Sequence, residues 1–160
     1  MKRIFAIMAL AGCLVIAATG ATFAGDEPGR AYGLRVGFGL DPDQFVVGIQ
    51  TDLGSVYKNV HFVPSIDAGF GDNITSFGLN GDFKMFLPMP KSEAAIYVLA
   101  GPTAEFYSFD GETDTEVGLY LGGGVRMGFS DKGWYNLEAR IGIGDIPEFR
   151  LLLGILFGGR

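Results

Sequence analysis

Cysteine is nearly missing from this chain of 160 residues: there is one, Cys13, and it lies in the first apolar run rather than in the body of the sequence. Beyond that run no disulfide framework exists, and the single thiol carries no redox information. Histidine is as scarce, with His61 alone. Basic residues are outnumbered, 12 Lys and Arg against 18 Asp and Glu, for a formal charge of −6. That excludes a nucleic-acid surface, which needs clustered cations. After Ala18 no uninterrupted apolar run reaches the roughly 18 residues of a membrane helix. With 48% of residues hydrophobic, the apolar side chains must be spread over short segments.

From Ala31 onward those segments share one pattern. Tyr32, Leu34, Val36, Phe38 and Leu40 alternate with Ala31, Gly33, Arg35, Gly37 and Gly39. A period of two marks a strand with two unlike faces. A sheet facing water would carry Lys, Glu and Thr on its polar side, because Gly covers nothing and weakens a strand. A cramped interior tolerates Gly, and the chain has 26 of them. The apolar face is therefore expected to point outward, into lipid.

The first residues fit export. Met1, Lys2 and Arg3 form a basic start, Ile4 to Ala18 an apolar core, and Ala21-Thr22-Phe23-Ala24 a small-residue cleavage site before Gly25. Residues 1–24 are expected to be a signal peptide and residues 25–160 the mature domain. Leu10-Ala11-Gly12-Cys13 also offers a lipoprotein processing box, but the apolar stretch runs on past Cys13.

Eight strand candidates follow, each keeping its parity. Their lengths suit the roughly 9 to 11 residues of a tilted membrane strand. An even number of strands can close without leaving an unpaired edge in lipid. The expected fold is an all-β, eight-stranded, antiparallel up-and-down barrel. GFGLDPDQF (Gly37 to Phe45), GFGDNITSF (Gly69 to Phe77) and GIGDIPEF (Gly142 to Phe149) repeat a strand, acidic turn, strand motif, and Ser108 to Thr115 is a longer acidic connection at the same end. The alternate connections are mixed in charge and contain Lys58, Lys91 and Lys132. With the N-terminus on the periplasmic side, the acidic tips would face outside.

Aromatics gather near both strand ends. Phe38, Phe45, Phe70, Phe77, Phe106 and Phe149 lie by the acidic tips, and Tyr32, Phe62, Phe83, Tyr97, Phe129, Trp134, Tyr135 and Phe157 towards the other rim. Two such bands are expected as interfacial girdles. On the signal, the strand pattern and the girdles together, the chain resembles the small outer-membrane β-barrel family, of the kind represented by OmpX and the transmembrane domain of OmpA. The resemblance implies a monomer in the outer membrane of a Gram-negative envelope, in contact with lipid and lipopolysaccharide and inserted by the outer-membrane assembly machinery.

The inward face carries Asp52, Asp67, Asp82, Glu105, Glu116 and Glu138 against Arg35, Lys84, Arg126, Arg140 and Arg150, with His61 as a further cation when protonated. The interior of an eight-stranded barrel is about filled by side chains, so these charges are expected to pair and plug the lumen. If Ser130 and Trp134 face each other across an Asp131-Lys132-Gly133 turn, the antiparallel register sets Arg126 opposite Glu138.

No catalytic, cofactor or metal site is expected. Some barrels of this size resemble lipid A acylases and deacylases, which need a nucleophile beside a histidine. Ser65 lies about 13 Å along the strand from His61 at 3.3 Å per residue. Gly122-Gly123-Gly124 lacks the strand-to-helix setting of a phosphate cradle and reads as tight strand packing. Asp110 to Glu116 does not match a calcium loop and reads as solvated turn acids. The expected function is thus a non-enzymatic outer-membrane barrel with a charge-plugged lumen and acidic outer turns, serving envelope integrity or surface contact. The alternatives are an exported soluble barrel of lipocalin type holding an apolar ligand, a lipid-modifying enzyme, and a narrow porin-like channel.

Overall fold

The computed structural model describes residues 30–88, 94–109 and 112–158. The signal segment and Cys13, the connection at 89–93 with Lys91, and the Asp110-Gly111 tip lie outside the described residues. In chain order the strands are β1 Ala31–Leu40, β2 Gln44–Asp52, β3 Ser55–Tyr57, β4 Val60–Gly71, β5 Ile74–Pro88, β6 Ala94–Phe109, β7 Glu112–Ser130, β8 Gly133–Gly144 and β9 Phe149–Gly158.

β3 continues β2 beyond a kink, since both pair with β4. At the kink the Leu53 N–H donates to the Phe62 carbonyl at 3.0 Å and the Phe62 N–H to the Gly54 carbonyl at 3.3 Å. Gly54 takes φ +88 there, a conformation that glycine adopts without steric cost. The nine segments therefore make eight staves. Every neighbouring pair is antiparallel, and β1 closes the ring against β9 from Ala31↔Gly158 to Leu40↔Phe149. Closure leaves no free sheet edge along the wall. The eight-stranded up-and-down barrel expected from the alternation is the fold that forms.

The connections β1–β2, β4–β5, β6–β7 and β8–β9 gather at one end, the mouth. Ala31 and Gly158 lie at the other, the base. Along β1 burial alternates without a break: Leu34 is 67% exposed and its neighbour Arg35 2%. The same inversion runs round the barrel, with Phe77, Leu119, Ile141 and Leu153 exposed and Asn80, Asp82, Glu105, Arg140 and Arg150 buried. Phe62 shares the outward parity but is only 8% exposed. Its ring lies 5.1 Å from that of Phe83 and covers Gly81, where a Cβ would be 3.5 Å away. An aromatic laid over a strand glycine restores the cover that the missing side chain cannot give.

Two features shape the mouth. The β6–β7 hairpin is the tallest: β7 pairs with β6 from Glu112 but with β8 only from Gly118. The β8–β9 connection, by contrast, folds inward. The Gly142 N–H donates to the Glu148 carbonyl at 2.9 Å, and Ile146 drops into the lumen at 6% exposure, clustered with Tyr120, Tyr97, Leu99 and Phe86.

Candidate functional site: the lumen

Inward positions hold the longest polar side chains of the chain, and glycines on adjacent strands make room for them. A Cβ on Gly48 would strike the Asp67 carboxylate, one on Gly78 the Glu105 carboxylate, and one on Gly124 the Tyr97 hydroxyl. Each pair faces across a strand boundary, as Gly48↔Asp67, Gly78↔Glu105 and Tyr97↔Gly124. The inward Gly residues thus serve as sockets.

Three clusters fill the middle of the barrel. Arg35 Nε and Nη2 donate to the two oxygens of Asp67 at 2.7 and 2.5 Å, and Nη2 also donates to Ser65 Oγ at 2.6 Å. Asn80 Nδ2 donates to the same Asp67 at 2.9 Å. Glu138 is the second hub, accepting from Lys84 Nζ, from Tyr97 Oη at 2.6 Å and from Arg140 Nε at 2.5 Å. Arg140 Nη2 turns to Asp82 at 2.6 Å. In the third cluster Arg150 Nη1 lies 2.8 Å from Glu105 Oε1, within ion-pair range but not aligned for a hydrogen bond. Approaches of 3.9 Å between Arg35 and Glu138 and 3.7 Å between Arg150 and Asp67 link the three.

The charges balance. Arg35, Lys84, Arg140 and Arg150 meet Asp67, Asp82, Glu105 and Glu138, four against four, none more than 2% exposed. Lone ions in such surroundings would be prohibitive, and pairing offsets desolvation only where geometry and further hydrogen bonds are good. Aromatic rings supply part of the remainder. The Tyr120 ring stands between Arg140 and Arg150, at 5.5 and 5.4 Å from their guanidinium carbons, and Lys84 Nζ lies 4.9 Å from the Tyr97 ring.

A smaller set closes the base. Asp52 accepts from Arg126 Nη1 at 2.8 Å and lies 2.9 Å from His61 Nδ1. Phe86 packs against both side chains, 4.5 Å from the Arg126 guanidinium and edge-on at 4.8 Å to the His61 ring.

Several sequence expectations change here. Arg126 does not meet Glu138: the register is Arg126↔Asn136 and Gly124↔Glu138. Ser130 pairs with Gly133, so the turn is Asp131-Lys132, and an irregularity between Gly128 and Ser130 shifts the frame below it. Tyr97 is no girdle residue; it faces inward, fully buried, and bonds Glu138. Trp134 also takes the inward parity, alternating with exposed Tyr135 and in line with Asn136 and Glu138. Glu116 sits at the mouth, across from Glu105 in register. The other girdle candidates, Tyr32, Phe38, Phe45, Phe70, Phe77, Phe83, Phe106, Phe129, Tyr135, Phe149 and Phe157, point outward with partial or full exposure.

Sequence reasoning missed Phe86, Ile146, Leu152 and Leu156 as lumen residues. Parity could have found Phe86. Leu152 lies in an unbroken Leu151-Leu152-Leu153 run, and Ile146 in a turn, where no periodicity speaks. His61 and Ser65 serve different clusters, with Ser65 held by Arg35 and His61 beside Asp52. Among the described residues no three His, Cys, Asp or Glu side chains gather to hold a metal ion.

A closed barrel with an apolar exterior and a charged, side-chain-filled interior is the architecture of the small outer-membrane barrels, and comparison with solved structures agrees. The chain is similar to the N-terminal β-barrel domain of Pseudomonas aeruginosa OprF, with a TM-score of 0.63 at 16% identity over 82% of this chain and 98% of that one. It is similar to Neisserial surface protein A, with a TM-score of 0.59 at 11% identity over 81% and 94%. The Yersinia pestis outer membrane protein Ail in a phospholipid bilayer nanodisc gives 0.51 at 10% identity over 79% and 97%. These likenesses are of fold. No family model matches the sequence, and no curated protein does.

Proposed function

We propose that this chain is a non-enzymatic outer-membrane protein: an eight-stranded barrel with a lumen plugged by paired charges, acting as a structural and surface element of a Gram-negative envelope. The observation that carries this reading is the inversion of the wall. Leu34, Ile49, Ile141 and Leu153 are 67%, 54%, 60% and 59% exposed, while all eight central charges are buried. A contiguous apolar exterior of that extent does not suit water, whereas lipid requires it. The alternative of a soluble lipocalin-like barrel needs the opposite arrangement, with the apolar face around an internal ligand.

The plug argues against a conducting path. Arg140, Lys84 and Glu138 meet at mid-height, with Ile146 above and Phe86 below. Lipid and lipopolysaccharide are the proposed surroundings, the assembly machinery the proposed route in, and residues 1–24 the proposed export signal. Membrane fractionation with a heat-modifiability gel tests this reading, because a closed barrel in detergent migrates differently before and after boiling. Recovery from the soluble fraction without a shift would overturn it. Steady, voltage-independent conductance in planar bilayers would overturn the plug.

A further inference from the structure

The outermost stretch of β7 is a strand with one flank open. From Glu112 to Val117 it pairs residue for residue with β6, Phe109↔Glu112 through Ala104↔Val117, without a break in register. On the other flank β8 reaches only Gly118↔Gly144, and among the described residues no strand pairs with β7 above that point. In an antiparallel ladder each residue sends its N–H and C=O to one flank, and alternate residues serve opposite flanks. The Val117 carbonyl oxygen sets the parity, since it lies on the β8 side, 3.2 Å from where a Gly144 Cβ would stand. Thr113, Thr115 and Val117 therefore present their backbone groups to the open flank, and Glu112, Asp114 and Glu116 present theirs to β6.

One of these edge groups has found a local substitute for a strand. The Thr115 N–H donates to Asp114 Oδ1 at 2.8 Å, in the direction where a further strand would offer a carbonyl. Open edges of this kind are templates for strand addition, and proteins blunt them with proline, bulges or charge. Neither proline nor a bulge lies within Glu112–Val117. Charge does, and it is of one sign and on one face: Glu112, Asp114 and Glu116 alternate with Thr113, Thr115 and Val117.

That pattern selects the occupant. Carboxylates two residues apart on a strand repeat at about 6.8 Å, and alternate side chains of any strand laid beside it repeat at the same spacing. A second copy of this edge brings no cation; laid antiparallel it sets acid opposite acid, which destabilises a pair. A strand with Lys or Arg at every second position sets cations opposite the carboxylates instead. Its other side chains then fall beside Thr113, Thr115 and Val117, where β-branched residues pack well. Asp145 and Glu148, which line one cavity with Asp114 and Glu116, add to the negative field on the face the cations would take. We propose that the open flank of β7 binds an extended basic segment of another protein by strand addition. The backbone of that segment bonds Thr113, Thr115 and Val117, and its Lys or Arg side chains meet Glu112, Asp114 and Glu116. That the edge meets the cell exterior rests on the reading above, which fractionation tests by itself; the pairing does not.

The test is fluorescence anisotropy of a labelled peptide of alternating Lys and Val, titrated with the full chain refolded in detergent micelles, each variant first passing the heat-modifiability gel. Saturable binding is expected, weakening as ionic strength rises. The same peptide N-methylated throughout keeps its charges but cannot donate to an edge, and should bind about tenfold more weakly. Thr115→Pro leaves the carboxylates and the β6 pairing in place, because the N–H it removes faces the open flank, and should also weaken binding by about tenfold. Glu112→Gln combined with Glu116→Gln should weaken it by about fivefold, as the loss of two cross-strand charge pairs implies. Asp72→Asn, in a neighbouring groove at the same end, should leave it within about twofold, since that charge acts only through the screened field. At saturation, hydrogen exchange should slow at the Thr113 and Val117 amides. Four outcomes overturn the proposal: no saturation, equal binding of the N-methylated peptide, binding unchanged in Thr115→Pro, or a dimer of this chain that Thr115→Pro dissolves, which would seat a second copy on the edge. Should Thr115→Pro fail the gel, the N-methylated peptide decides by itself.

Discussion

Glu138 is the most heavily shared group in the lumen, and its removal has a calculable signature. It accepts from Lys84 Nζ, Tyr97 Oη and Arg140 Nε. Arg140 keeps Asp82 at 2.6 Å when Glu138 is gone, but Lys84, fully buried, loses the carboxylate it is paired with. Leaving one buried charge without its partner costs about 3 to 5 kcal/mol, so Glu138→Gln should fall in that range. Lys84→Met should cost less, about 1 to 3 kcal/mol, because Glu138 still holds Arg140 and Tyr97 and only part of its stabilisation is lost. The double variant removes the stranded charge as well and should cost less than Glu138→Gln alone, a coupling larger than the whole Lys84→Met loss. Urea unfolding of the refolded barrel in lipid vesicles reads all three, with Trp134, the one tryptophan in the chain, as the fluorescent reporter at the base. Losses that add to within about 0.5 kcal/mol would mean that Lys84 and Glu138 do not interact, and the plug as described would be refuted.

Arg126→Ala and Glu138→Ala should be additive to within about 0.5 kcal/mol in the same assay, because Arg126 pairs with Asp52 instead; strong coupling would restore the register with Arg126 opposite Glu138. Leu153→Arg, at an outward site 59% exposed, should destabilise the barrel in vesicles by about 2 to 4 kcal/mol, and a neutral result would place that face away from lipid. Gly124→Val should destabilise by at least about 1 to 3 kcal/mol, as overpacking does, since a Cβ there meets both the Leu137 carbonyl oxygen and the Tyr97 hydroxyl. Combining it with Tyr97→Phe should recover little in the urea midpoint because the backbone contact remains, and full recovery would leave Tyr97 as the obstacle instead.

The wall of the barrel was legible because membrane strands have a period of two, and the Tyr32 to Leu40 face is the same in sequence and structure. Closure followed from strand number. The partners inside were not legible, because they depend on frame. A turn one residue tighter than expected, with Ser130 on Gly133, and an irregularity between Gly128 and Ser130 together moved Arg126 from Glu138 to Asn136, and nothing in the composition of that segment marks either. Arg126 then reaches Asp52, 74 residues away in the chain, a contact set by how the whole sheet staggers as it closes. Tyr97 reads as a girdle residue by type, whereas its parity along β6 points inside, and parity is the sounder guide because a strand cannot turn one side chain without turning the rest. Ile146 was invisible for a different reason: a turn residue has no face until the chain folds back.

The hairpin that outruns its neighbour has an engineering consequence. Along Glu112–Val117, β7 is held by β6 on one flank and has no β8 pairing on the other, so this stretch is a two-stranded ribbon standing clear of the rim. Its height can change by whole pairs of residues without altering any register below Gly118. A peptide epitope spliced into its tip should be displayed on a stalk, with the stability of the display borne by the eight staves beneath.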